Sequence, residues 1–247
     1  MDTDKTGQAK KIYEEMYKIL YRKFYDYNKA WDYLIEFIAV DNCPGLLNQL
    51  EHKFEWLFED RDLCEKIISI YKPDVLKQDM HDHLGDMYVE NQSSLGKSFK
   101  GQFLTPDNVC DFICRITIDQ IDKQVNILDP AVGTGRFLIH AHRYTPNANL
   151  FGVDIDLRAL RIAFTNCAIH GIRAYFLHAD SLRYEIDISK EAGRHNWQYA
   201  NRWYSCWDKL EEMGPARREE VSNERDKMHA QLGLFREDLT ENKKNEV

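Results

Sequence analysis

The segment Asp129-Pro130-Ala131-Val132-Gly133-Thr134-Gly135-Arg136-Phe137 constrains this chain more than any other stretch. It places a strand-ending carboxylate before a glycine-rich turn, and the turn opens a helix. The run Val125 to Leu128 suits a buried parallel strand, Gly133 and Gly135 let the backbone turn tightly and approach a ligand, and Phe137-Leu138-Ile139 begins the packing face of the following helix. A chain with this junction folds around a parallel sheet and holds a nucleotide-type ligand at its carboxyl end.

The sequence around that junction repeats the alternation. Strands are expected at Val125 to Asp129, Asn149 to Asp154 and Ala174 to His178, separated by helices over Arg136 to Arg143 and Leu157 to His170. In the second helix Leu157, Leu160, Ala163, Phe164, Cys167 and Ala168 share one face, Asp156 is the expected N-cap and Gly171 the terminator. Upstream, Gly101-Gln102-Phe103-Leu104-Thr105-Pro106 leads into a helix with Thr105 as N-cap, Pro106 at the first helical position, and Val109, Phe112, Ile113 and Ile116 as its packing face.

Before residue 97 the pattern is helical throughout. Ile12, Met16, Ile19, Leu20 and Phe24, then Trp31, Leu34, Ile35 and Ile38, recur at three-to-four spacing; Asp41-Asn42-Cys43-Pro44-Gly45 breaks the run, and further helices are expected over Leu46 to Tyr71 and Val75 to Val89. The expected division is a helical N-terminal domain at 1–97, a cofactor-binding domain at 98–188, and a helical, charged C-terminal segment at 189–247.

Composition restricts the function classes. With 41 acidic against 33 basic side chains the formal charge is −8, which argues against unaided gripping of duplex DNA, because phosphate neutralisation supplies most non-specific affinity. Six cysteines at 43, 64, 110, 114, 167 and 206 show no CxxC spacing, so reduced thiols are expected and neither a disulfide framework nor a zinc site. The N-terminus lacks the apolar core of a signal peptide and no stretch reaches the ~20 apolar residues of a membrane span, so a cytoplasmic protein without membrane contact is expected. His81 and His83 suggest a metal, but two helical residues so spaced face different ways, and no metal site is assigned.

Four features converge at the carboxyl ends of the expected strands. Asp129 with the Gly133/Gly135 turn can approach the amino-acid part of a ligand, Asp154 can accept both hydroxyls of a ribose, and Asp180 can accept from an exocyclic amine, although Asp180-Ser181 also reads as a simple turn. The Phe103-Leu104-Thr105-Pro106 turn can cover the ligand.

In this order and spacing, Gly101 to Pro106, Asp129 to Leu138, Gly152-Val153-Asp154-Ile155-Asp156 and Ala179-Asp180-Ser181-Leu182 resemble the cofactor motifs of N6-adenine DNA methyltransferases, especially the methylation subunits of type I restriction-modification systems. Leu84-Gly85-Asp86-Met87-Tyr88 is similar to the approach helix of those subunits. The resemblance covers residues 80–182. It implies a partial Rossmann-like α/β fold of the S-adenosylmethionine-dependent methyltransferases, behind a helical N-terminal region and ahead of a helical C-terminal segment. It also implies S-adenosylmethionine held by Phe103, Thr105, Asp129, Pro130, Gly133, Gly135, Asp154 and Asp180, with methyl transfer to the N6 amine of an extruded adenine.

The sequence departs from that family at the chemical step. The family uses Asn or Asp followed by Pro-Pro and an aromatic residue to hold the amine protons and stack the base, and the 247 residues contain no Pro-Pro. No catalytic residue is identified; Asn196 and Tyr199 in Asn196-Trp197-Gln198-Tyr199 are the nearest candidates. The expectation is therefore an S-adenosylmethionine-binding, methyltransferase-like protein that is degenerate or depends on a partner, with a regulatory or accessory role in DNA modification. DNA is expected to be reached through a partner subunit, and the incomplete sheet to be covered by a remnant strand at Tyr184 to Ile188, by the aromatic segment with Trp197, Trp203, Tyr204 and Trp207, or by another chain in a homo- or hetero-oligomer. The alternatives are an active adenine methyltransferase with a displaced motif, and a dinucleotide-binding Rossmann protein. The last is disfavoured by Leu138, where its fingerprint requires glycine.

Overall fold

The computed structural model describes residues 3–43, 54–78, 80–94, 104–118 and 125–182. The described residues form two compact units, one up to Leu76 and one from Lys77 onward.

The first unit is helical. Helices α1 (Thr3–Phe24) and α2 (Tyr27–Asn42) pack against each other as a hairpin that turns at Tyr25 and Asp26. The Asp26 carboxylate accepts from the backbone N–H groups of Asn28 and Lys29 at 2.8 and 3.1 Å, satisfying donors that the first turn of α2 leaves open. Then come α3 (Glu55–Phe58), α4 (Arg61–Ile70) and α5 (Pro73–Lys77). Met16 and Leu20 of α1, Trp31, Leu34, Ile35 and Ile38 of α2, Leu57 of α3 and Ile67 of α4 are buried, as the apolar periodicity in α1 and α2 requires. Where one helix was expected over Leu46 to Tyr71, residues 46–53 lie outside the described part, and Asp60 divides the rest by capping α4 through Leu63 N–H at 3.0 Å. Cys64, Cys110, Cys114 and Cys167 are free, but Cys43 is disulfide-bonded. The expectation of reduced thiols is corrected there, because chain spacing does not show which cysteines meet in space.

The second unit contains α6 (His83–Ser94), α7 (Asp107–Thr117), β1 (Asn126–Asp129), α8 (Arg136–Tyr144), β2 (Asn149–Asp154), α9 (Leu157–Ile169) and β3 (Ala174–His178). The sheet is parallel in the order β1-β2-β3, with Asp129 opposite Gly152 and Asp154 opposite His178. Right-handed crossovers advancing in one direction put α8 and α9 on the same face, and these helices touch each other as well as β2. Phe176 meets Phe164 of α9 on that face. Alternate residues Phe151, Val153 and Leu177 build a buried cluster on the other, with Phe151 stacked on Tyr175 at 5.3 Å between centroids. Among the described residues β1 is a sheet edge.

All three strands and both crossover helices lie where the sequence places them. Asp156 caps α9 through Arg158 N–H at 2.9 Å, and Gly171 ends it at φ 66. Two expectations fail. The helix expected over Val75 to Val89 is interrupted after Lys77 and restarts at His83, since Asp82 leaves the helical path to cap α6 through Gly85 N–H at 2.8 Å. In α7 the cap is Pro106, not Thr105, and the buried face is Cys110 and Cys114, whereas Val109, Phe112 and Ile116 are exposed. The side chains of α7 that reach α8 are polar: Asp107 pairs with His140 at 2.9 Å, and Asp111 accepts from the Tyr144 hydroxyl at 2.6 Å. Among the described residues no helix is long and apolar enough to cross a membrane.

Gly152 fixes the seat of the glycine turn. A Cβ there would lie 2.8–3.0 Å from the Val132 side chain, closer than packed carbons tolerate. Gly152→Ala is expected to lower unfolding free energy by about 1–3 kcal/mol, read from urea denaturation.

Candidate functional site

The glycine turn is stitched to the sheet by its backbone. Val132 N–H donates to the Val153 carbonyl at 2.9 Å, Gly135 N–H to Val132 O at 2.9 Å, and Ala131 N–H to the Asp129 carboxylate at 3.0 Å. Gly133 and Gly135 adopt φ 53 and 87, values that L side chains rarely take. Gly135 also lets α8 start against α9, because a Cβ would stand 3.1 Å from Ala163 Cα.

Three of the sequence-predicted carboxylates gather at this end of the sheet. Asp154 accepts from Gly133 N–H at 2.7 Å and from Asp156 N–H at 2.8 Å, one on each oxygen, which leaves each oxygen a lone pair for a ligand hydroxyl. Asp129 has a raised pKa because burial disfavours its charge and Asp154 repels it, against the single hydrogen bond from Ala131. Asp180 follows β3, where Ala179 N–H donates to Asp154 O at 3.1 Å, and its carboxylate accepts from Leu182 N–H at 3.1 Å, the turn its sequence allows. Pro130 is exposed at the start of the glycine turn. Leu104 Cδ2 lies 3.7 Å from the position a Gly133 Cβ would take, so the segment before α7 does cover the turn. Thr105 is exposed, and its carbonyl accepts from Arg136 Nη1 at 3.5 Å. Phe103, Asn196 and Tyr199 lie outside the described residues.

Sequence reasoning missed two features. Ile155, between Asp154 and Asp156, has its carbonyl bonded to His178 Nε2 at 2.9 Å while its side chain is 69% exposed, an apolar platform in a carboxylate-lined rim. The second is a buried polar hub behind the turn. Asp82, 1% exposed, accepts from the Thr134 hydroxyl, from Asn166 Nδ2 at 2.6 Å and from Gly85 N–H, while Arg136 Nε stands 3.5 Å away. Asn166 also donates to the Thr134 carbonyl at 2.9 Å. Burial pushes the Asp82 pKa up to about 6, despite Arg136 and Thr134. Asp86 pairs with Arg136 and accepts from His81 at 2.8 Å, and these partners overcome burial to bring it down to about 2. A polar sequence break followed by Gly85 three residues later was the available signal for the hub.

Gly85 belongs to the hub because a Cβ there would overlap the Asp82 carboxylate and the Thr134 hydroxyl.

The N-6 DNA Methylase family model matches residues 79–232. The type I restriction enzyme MjaVIII methylase subunit of Methanocaldococcus jannaschii is 30% identical over 119 residues, covering 46% of this chain and 20% of that protein. The MjaVII methylase subunit of the same organism is 26% identical over 162 residues, 63% of this chain and 25% of that one. The type II methyltransferase M.VspI of a Vibrio species is 38% identical over 82 residues, 32% of this chain and 20% of its own length. The matched part thus spans a fifth to a quarter of these relatives.

Asp82→Ala is expected to cost about 3–5 kcal/mol of stability, since Arg136, Thr134 and Asn166 lose a common buried acceptor. Gly85→Ala evicts the same carboxylate, so the double variant should lose clearly less than the sum of the two in a double-mutant cycle.

Proposed function

This chain belongs to the N-6 DNA methylase family, and on that premise we propose that its second unit binds S-adenosylmethionine as the cofactor-holding part of an N6-adenine DNA methyltransferase-like assembly. The observation that carries the proposal is the pair of carboxylates at the glycine turn. Asp129 is disfavoured as an anion by burial and by Asp154, so a cationic ligand relieves the repulsion. S-adenosylmethionine brings an ammonium and a sulfonium, whereas a dinucleotide brings a pyrophosphate that the same carboxylates repel. The dinucleotide reading loses on that ground.

The residues fit the cofactor in three further respects. Asp154 retains acceptor capacity for two ribose hydroxyls, the open Gly133 turn admits a ligand beside Leu104, and the exposed Ile155 offers an apolar face to a purine between Asp154 and Asp180. When bound, S-adenosylmethionine supplies an electrophilic methyl group on sulfur. Asp129 orients the cationic end and Asp154 the ribose; Asp180 accepts from the purine amine. Transfer to adenine needs acceptors for the amine protons, and with no Pro-Pro in the 247 residues we assign that step, and the contact with DNA, to residues outside these 247.

Asp154→Ala should weaken S-adenosylmethionine binding at least tenfold, ~1.4 kcal/mol, in isothermal titration calorimetry, with NAD giving no comparable heat on wild type. Unchanged affinity removes Asp154 from the site. In a labelled-methyl assay on adenine-containing DNA these 247 residues alone are expected to show no incorporation; incorporation that Asn196→Ala abolishes places that step within them and leaves the cofactor site intact.

A further inference from the structure

We propose that His81, His83 and Asp86 form a binding site for a divalent transition metal, zinc in the first instance, at the start of α6. The separate-faces objection holds only within a helix, and His81 precedes α6 while His83 begins it. The two imidazole rings come within 4.5 Å between centroids, and one ligand atom from each of the three residues lies within 4.8 Å of the others. Ligands in a tetrahedral zinc site, bound at about 2.0–2.2 Å, stand some 3.3 Å apart, so small side-chain rotations close the set.

The surroundings suit a metal as well as the ligands do. Asp86 commits one oxygen to Arg136, which fixes the carboxylate and turns the other toward His81 Nε2 at 2.8 Å. On the opposite side of that ring, Nδ1 lies 3.7 Å from Asp107, so that a small shift would bring this carboxylate into hydrogen-bond range, the way carboxylates orient metal-bound histidines. Asp107 is held in turn by His140 at 2.9 Å. The side chains of His81 and Asp86 are 23% and 32% exposed, leaving a route in from solvent and a coordination position for water. Two imidazoles and one carboxylate favour zinc, nickel or cobalt over magnesium or calcium. The ion replaces the proton shared by His81 and Asp86, which is released, and it ties the segment before α6 to the helix whose first turn Asp82 caps. The inference is independent of the cofactor reading, since none of these residues lines the Asp129–Asp154 rim.

The test uses the full, tag-free chain stripped of metal. Zinc chloride is titrated calorimetrically into wild type, His81→Gln, His83→Gln and the control His142→Gln, each first checked by circular dichroism. One equivalent of zinc on wild type and control, weakened at least about tenfold by each of the first two substitutions, supports the site. No saturable binding by wild type, or equal binding by all four proteins, overturns it. Two readouts need no variant. Cobalt should give visible bands of nitrogen and oxygen ligands without thiolate charge transfer, and zinc should protect His81 and His83 from diethylpyrocarbonate in peptide mapping; thiolate bands or unchanged labelling of both histidines overturns the proposal.

Discussion

The second unit depends on one buried carboxylate. Asp82 accepts from Gly85 at the start of α6, from Thr134 in the glycine turn and from Asn166 in α9, and it faces Arg136 at the start of α8. Three segments, the start of α6, the glycine turn running into α8, and α9, thereby meet at one acceptor. A fully buried carboxylate is expensive, which its raised pKa reflects, and a dry environment strengthens every hydrogen bond made to it. The geometry of the turn is therefore set from behind by α6 as well as from below by the sheet. This gives the Leu84 to Tyr88 resemblance a physical basis: Leu84, Met87 and Tyr88 are buried, Tyr88 Oη donates to the α9 cap Asp156 at 3.3 Å, and Gly85 makes room for the hub.

Charge is distributed differently in front of the turn and behind it. Behind, the carboxylates of Asp82, Asp86 and Asp107 surround the Arg136 guanidinium. In front, Asp129 and Asp154 meet only backbone donors among the contacts described above. Among the described contacts the rim thus presents two carboxylates held by backbone N–H groups, a disposition that discriminates between ligands sharing a glycine turn. The proposed cofactor is positively charged where a dinucleotide is negatively charged, so electrostatics separates two readings that the Gly133-Thr134-Gly135 spacing alone does not.

Much of the sheet was legible because each element carried a local signal. The strands were marked by short apolar runs ending in Asp129, Asp154 and His178, and α9 by Asp156 at one end and Gly171 at the other. Capping and positive-φ glycines act over a few residues, so a few residues suffice to find them. The misreadings share the opposite property. Phe112 and Ile116 read as inward in the sequence because they are apolar, yet which face of α7 turns inward depends on what α8 presents to it. His81 and His83 look like neighbours on one helix in the sequence, and only the Asp82 cap shows that α6 begins between them.

The sequence by itself determined a parallel three-stranded sheet with its carboxylates at one end, since strand length, helix caps and glycine conformation are local preferences of the chain. The tertiary structure decided which polar groups became buried partners. That Asp82 would meet Thr134 and Asn166, 52 and 84 residues away, follows from chain crossings that no local preference encodes. The same crossings brought Asp86 to Arg136 across 50 residues and left Ile155 exposed between two carboxylates. Burial and long-range pairing are properties of the packed molecule, and they decide whether an aspartate serves as a cap, a hub or a rim.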